Sequence, residues 1–133
     1  MMWLLLDPTI HQGVCGELES RGVRCIHAGI EGLGAADPVL LLQAAVEDEC
    51  ALVTRNYHDF ARLAEAYRAA GRRVPLLLFL APEVPTGDVR AQAAAIETWL
   101  EEAGDDPVPG PVWVGRSLTR AGRAAASPTA SHA

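Results

Sequence analysis

The chain has no lysine: all eleven of its basic residues are arginine. Chemistry that depends on a lysine ammonium, such as a phosphate-cradling P-loop or a Schiff base, is thereby excluded, and a phospho-receiver domain is disfavoured for the same reason. Basic charge is short in total as well, since seventeen acidic residues leave a net charge of -6. That balance argues against non-specific tracking along a nucleic-acid backbone, which needs a broad basic face, while leaving a local contact open. Cysteine is scarce and odd in number, and Cys15, Cys25 and Cys50 show no Cys-x-x-Cys spacing. Neither a disulfide framework nor a zinc knuckle is indicated; each cysteine falls on a predicted buried face, and free core thiols in a reducing cytoplasm are expected. Long apolar runs are missing too. Trp3 to Leu6 and Val74 to Ala81 are far too short to span a bilayer, and the apolar start lacks a basic leader and meets Asp7 at once. No signal peptide and no membrane association are therefore expected. No Gly-x-Gly-x-x-Gly follows the first apolar run, which disfavours a small-ligand α/β binding domain.

What is present suits one domain: 133 residues, half of them hydrophobic, with a mean hydropathy of +0.12. Trp3 to Leu6 is a continuous apolar run, the pattern of a strand covered on both faces, and Asp7-Pro8 stops it. Ile10, Val14, Cys15 and Leu18 then recur at helical spacing over Thr9 to Arg21, with Gly22 as the stop signal. Val23 to Ile26 reads as a second strand and Gly29 to Ala36 as a glycine-rich loop. Asp37-Pro38 is a strong helix start, an N-cap followed by proline at the first helical position. A third strand covers Ala51 to Thr54, a helix runs from about Tyr57 to Ala70, and Pro75 to Leu80 forms a fourth strand. Asp88 opens a last helix that ends at Gly104. This alternation predicts an α/β fold: a three-layer α/β/α sandwich around a central, mainly parallel sheet of four to five strands. The domain is placed at 1–104. Residues 105–133 read as a proline-rich linker in which Val112 to Val114 could add a short edge strand, followed by a small and polar tail over Ala124 to Ala133 that composition marks as disordered.

The stretch Ala51 to Leu63 draws attention because the turn between its strand and its helix carries Thr54, Arg55, Asn56, His58 and Asp59. Two readings compete there. Asn56 can cap the helix with Asp59 favoured in its first turn by the helix dipole, or the turn can be a site, since ligands bind at strand ends in open α/β sheets. Asp7 follows the first strand and Asp37 begins the helix leading into the third. If the first and third strands are neighbours, strand order reverses between them and a crevice opens onto which Asp7 and Asp59 project, with Asp37 within reach. Three carboxylates with no lysine to neutralise them repel one another, and a divalent cation removes that repulsion. Mg²⁺ or Mn²⁺ takes hard oxygen ligands and supports phosphodiester hydrolysis. Each acid also has a local duty available, Asp37 as an N-cap and Asp7 as a turn former.

These residues resemble the PIN-like domains of the VapC toxin type, in the short bacterial form. The similarity lies in Leu-Leu-Leu-Asp7, in Ala-Ala-Asp37-Pro-Val-Leu-Leu-Leu-Gln-Ala and, most specifically, in Leu-Val-Thr54-Arg-Asn56-Tyr-His-Asp59-Phe60, and it covers about residues 3 to 80. The resemblance implies a metal-dependent ribonuclease with Asp7, Asp37 and Asp59 as the acids that hold Mg²⁺ or Mn²⁺ and carry catalysis. Thr54 and Asn56 would orient them or a metal-bound water. It also implies a toxin held in check by a small antitoxin protein, with RNA as substrate; a homodimer is left open. Arg55, Arg62 and His58 are the expected RNA contacts beside the site, with Arg72-Arg73 further out. Two departures stand out. Pro8 follows the first acid where short members commonly have another acidic residue, and the further acid of longer PIN domains has no counterpart unless Glu17 turns inward. A PIN-like module that binds RNA or a protein without cleaving is the alternative.

Overall fold

The computed structural model describes residues 2–29 and 37–116, so most of the glycine-rich segment and the C-terminal tail named above lie outside the described residues. Strands and helices alternate as β1 (Leu4–Leu6), α1 (Gly13–Ser20), β2 (Cys25–His27), α2 (Pro38–Glu47), β3 (Ala51–Thr54), α3 (Tyr57–Ala69), β4 (Leu76–Leu80), α4 (Val89–Ala103) and β5 (Gly110–Val114). The five strands form one parallel sheet in the order β2-β1-β3-β4-β5. β1 and β3 are neighbours with Leu5 opposite Leu52, so the direction of winding reverses between them and the condition set above for a strand-end crevice is met.

Period-2 alternation sorts the side chains into two cores. Leu4, Leu6, Val53, Leu78 and Leu80 face Val14 and Leu18 of α1 and Ile96 of α4. Leu5, Leu52, Leu77 and Phe79 face Leu42 of α2 and Phe60 and Ala64 of α3. The molecule is thus an α/β/α sandwich with α1 and α4 on one side and α2 and α3 on the other. Local chemistry places the helix starts at the strand-end edge: Asp37 accepts the Leu40 N–H at 3.0 Å and Asp88 the Ala91 N–H at 2.9 Å, each capping an otherwise orphaned donor. Among the described residues no helix is long and apolar enough to cross a membrane.

Two expectations are corrected. Helix α1 begins at Gly13 instead of Thr9, because Thr9 and the Ile10 N–H bond back to Asp7 and close a turn there. β2 starts at Cys25, two residues late. The short edge strand expected over Val112 to Val114 is present as β5: Gly110 to Val114 pairs along all of β4, and Val114 is fully buried. Residues 105–109 connect α4 to that strand.

Gly115 locks β5 in place. It sits at φ 79°, and a Cβ there would lie 2.3 Å from Val84 Cγ2 and 3.2 Å from Ala95 Cβ. Gly115→Ala combines a left-handed backbone with overpacking and is expected to destabilise the protein by about 2–4 kcal/mol in urea unfolding. Gly87→Ala, where nothing lies within 4 Å, is the control and is expected to change stability by less than about 0.5 kcal/mol. Equal midpoints for the two variants would mean that β5 lies outside the cooperative unit.

Candidate functional site at the strand ends

Asp7 continues β1 by one residue, its N–H donating to Val53 O at 3.0 Å, and it is only 3% exposed. Alternation sends Leu5 and Leu52 toward α2 and α3, and so sends Asp7 and Thr54 to the same side. Oδ1 of Asp7 accepts the Thr9 N–H at 3.0 Å and the Thr9 hydroxyl; Oδ2 accepts the Thr54 hydroxyl at 2.6 Å. Each hydroxyl in turn accepts a backbone N–H from the β3–α3 turn, Arg55 to Thr9 at 2.9 Å and Asn56 to Thr54 at 2.9 Å. The carboxylate is thus the end point of two relays that start at backbone amides. None of its hydrogen-bond partners is a cation. Burial accordingly pushes its pKa above the ordinary carboxylate value, against the opposing pull of the Thr54 and Thr9 donors and of nearby His27. His27 is itself buried, donating from Nε2 to Ile10 O at 2.7 Å and accepting the Gly29 N–H at Nδ1 at 3.0 Å, which ties the end of β2 to the same turn.

The other two acids are exposed. Asp59, in the first turn of α3, accepts from Asn56 Nδ2 at 3.1 Å; Asn56 makes no side-chain cap, so its amide holds the acid instead of the helix end. Asp37 caps α2 and shares with Asp59 an open groove of about 480 Å³ between α2 and α3, lined also by Val39, Arg62 and Leu63. Asp7 is not among the lining residues of that groove. The expected trio therefore divides into one buried acid at the β1 end and an exposed pair beside it. Among the described residues no three His, Cys, Asp or Glu side chains assemble into a group able to hold a metal ion.

Of the expected phosphate contacts, Arg62 and His58 are exposed, whereas the Arg55 guanidinium is turned into the fold. It donates to Ala81 O at 3.2 Å, Val84 O at 2.8 Å and Gln92 Oε1 at 3.3 Å, and so braces the connection between β4 and α4. Gln92, fully buried, completes that brace through Thr86 O and Asp88 O. Glu17 does not turn inward: it pairs with Arg21 at 3.1 Å, which also bridges to Glu97 of α4 at 3.0 Å. Arg73 lies 3.9 Å from Glu49, and the Arg72 guanidinium stacks 4.0 Å over Tyr67. Sequence reasoning missed Thr9, although an aspartate followed two residues later by a hydroxyl is the signature of a side-chain-closed turn.

Comparison with protein-family models, curated proteins and solved structures gave no match.

The raised pKa of Asp7 makes a signed prediction. Folding favours the protonated form, so this group's contribution to stability is full below its unfolded value, near 3.8, and is lost as pH rises through the higher folded value. Urea titrations in EDTA across acid to neutral pH are expected to show this loss in the unmutated protein and a flatter profile in Asp7→Asn. Superimposable slopes would mean that Asp7 ionises freely in the folded state.

Proposed function

We propose that the protein is a metal-dependent ribonuclease of the PIN-like kind, acting in the cytoplasm as the toxin half of a toxin–antitoxin pair and hydrolysing RNA phosphodiester bonds at the β1/β3 strand ends. The observation that carries the reading is the matched pair of hydrogen bonds from one turn to two acids: Thr54 to Asp7 at 2.6 Å and Asn56 to Asp59 at 3.1 Å. An acid at the β1 end and another in the first turn of the helix that follows β3, each oriented by a donor from the Leu-Val-Thr-Arg-Asn stretch, support a nuclease edge of this kind.

The donor set suits Mg²⁺ or Mn²⁺. Its atoms are hard carboxylate oxygens. Asp7 lacks a cationic partner, and its Oδ2 takes one donor where two lone pairs are available. Mg²⁺ commonly binds one or two protein carboxylates and completes its shell with water and substrate phosphate, so a preformed cluster of three is not required. When bound, such an ion polarises a phosphoryl oxygen and lowers the pKa of a bound water. Asp7 and Asp59 are assigned as its principal holders and Asp37 as the acid on the groove side. Thr54 and Asn56 fix the carboxylate orientations, while exposed Arg62 and His58 are the residues left to meet the RNA phosphates. The charge of -6 favours a small basic antitoxin as partner.

A second reading, a PIN-like module that binds RNA or protein without cleaving, is favoured by one specific observation. Asp7 is nearly inaccessible and already accepts three hydrogen bonds, while its two companions face a separate groove.

Incubation of structured and unstructured RNA with the purified protein in Mg²⁺ or Mn²⁺ separates the two. The nuclease reading expects cleavage that EDTA abolishes and that Asp7→Asn or Asp59→Asn lowers by at least about a hundredfold, the loss of a principal metal ligand. Cleavage persisting equally in both variants would mark a contaminant, and intact RNA throughout would favour the binding module.

A further inference from the structure

Cys15 on α1 and Cys25 on β2 stand with their sulfurs 3.1 Å apart. Each thiol also reaches the other residue's carbonyl, Cys25 Sγ to Cys15 O at 3.2 Å and Cys15 Sγ to Cys25 O at 3.5 Å, so the two side chains converge from facing backbones. Both are buried, at 7% and 5% exposure, whereas Cys50 is half-buried and turned toward Asp48 O at 3.6 Å. Of the three thiols expected on buried faces, Cys50 alone is only partly covered. A covalent S–S bond of about 2.05 Å needs the sulfurs to approach by only about 1 Å, and converging side chains meet the directional requirement that most cysteine pairs fail.

We propose that Cys15 and Cys25 are a reversible disulfide site, closed by a low-molecular-weight disulfide, that clamps α1 onto the edge strand β2. In the first step the Cys15 thiolate attacks one sulfur of the oxidant, forming a mixed disulfide and releasing one thiolate. In the second, the Cys25 thiolate attacks the Cys15 sulfur, the intrachain bond forms, and the second small thiolate leaves. The two cysteines lose two protons and two electrons, and one small disulfide becomes two small thiols. Burial raises both thiols above their ordinary range, with neighbouring Glu19 adding to it, so thiolate is scarce in the closed protein and the rate follows opening of α1. Helix α1 has only eight residues, and its far side rests on α4, so a covalent tie to β2 restrains a short element. Cys25 lies two residues before His27, whose ring holds Ile10 O in the turn that also carries Thr9. The clamp is independent of any metal or RNA chemistry.

The test uses the full chain, natively folded, titrated with oxidised glutathione. The expected result is loss of two hydrogens by intact mass, a peptide map joining Cys15 to Cys25, and a melting temperature raised by several degrees and restored by dithiothreitol. Cys15→Ala and Cys25→Ala should each abolish the mass loss and the rise, and Cys50→Ala should abolish neither. Mapping of the unmutated chain decides the matter even if a core variant does not fold. A persistent glutathione adduct on either residue, a crosslink through Cys50, or no mass loss in the folded protein at any oxidant ratio would overturn the site. A mapped Cys15–Cys25 bond with an unchanged melting temperature would overturn the clamp.

Discussion

A carboxylate buried without a cation dictates how the strand-end edge of this protein is built. Charge taken out of water is tolerated only when its lone pairs are met by donors, and Asp7 meets this with Thr9 and Thr54. Neither hydroxyl can donate to Asp7 and remain otherwise unengaged in a dry site, and each accepts from the β3–α3 turn. The conformations of residues 7–9 and 54–56 are therefore fixed by one another. That exchange joins the turn before α1 to the turn before α3 at the point where winding reverses between β1 and β3. Burial, against the pull of those donors, pushes the Asp7 pKa upward, and the proposed hard cation would supply the positive charge that the protein itself withholds there.

Much of this was legible in the residues. Asp37-Pro38 and Asp88 announced α2 and α4 through cap chemistry that works locally, independent of the fold. The apolar runs at Trp3 to Leu6 and Pro75 to Leu80 announced central strands, since only a strand covered on both faces can be apolar at every position. β5 was harder. Pro107, Pro109 and Pro111 read as a linker, and its pairing with β4 is a long-range event that no local pattern records. The start of α1 was misjudged because Ile10 falls at helical spacing with Val14, while the Asp7 turn claims its backbone.

The candidate site was legible in part and for an instructive reason. Alternation and strand order bring Asp7 and Thr54 to one side of the sheet; Asp7 as a strand-end acid was readable from the residues, whereas the orienting role of Thr54 came from the family resemblance. Depth was not readable: sequence cannot tell that Asp7 is buried while Asp37 and Asp59 open onto a groove of their own. Nor could it tell that Arg55, three residues from His58, points into the β4–α4 connection and leaves Arg62 as the outward arginine. The direction of a long side chain depends on which carbonyls can still accept a donor, here those of Ala81 and Val84, and those belong to another part of the chain.

Sharing of a divalent cation between Asp7 at the β1 end and Asp59 at the start of α3 is tested most directly by diffraction from crystals soaked in Mn²⁺, collected at the manganese edge. The expected result is an anomalous peak in contact with Asp7 Oδ2 and Asp59, with Thr54 still bonded to Asp7. Asp7 keeping only its threonine donors, with no manganese anywhere along the strand-end edge, would contradict it.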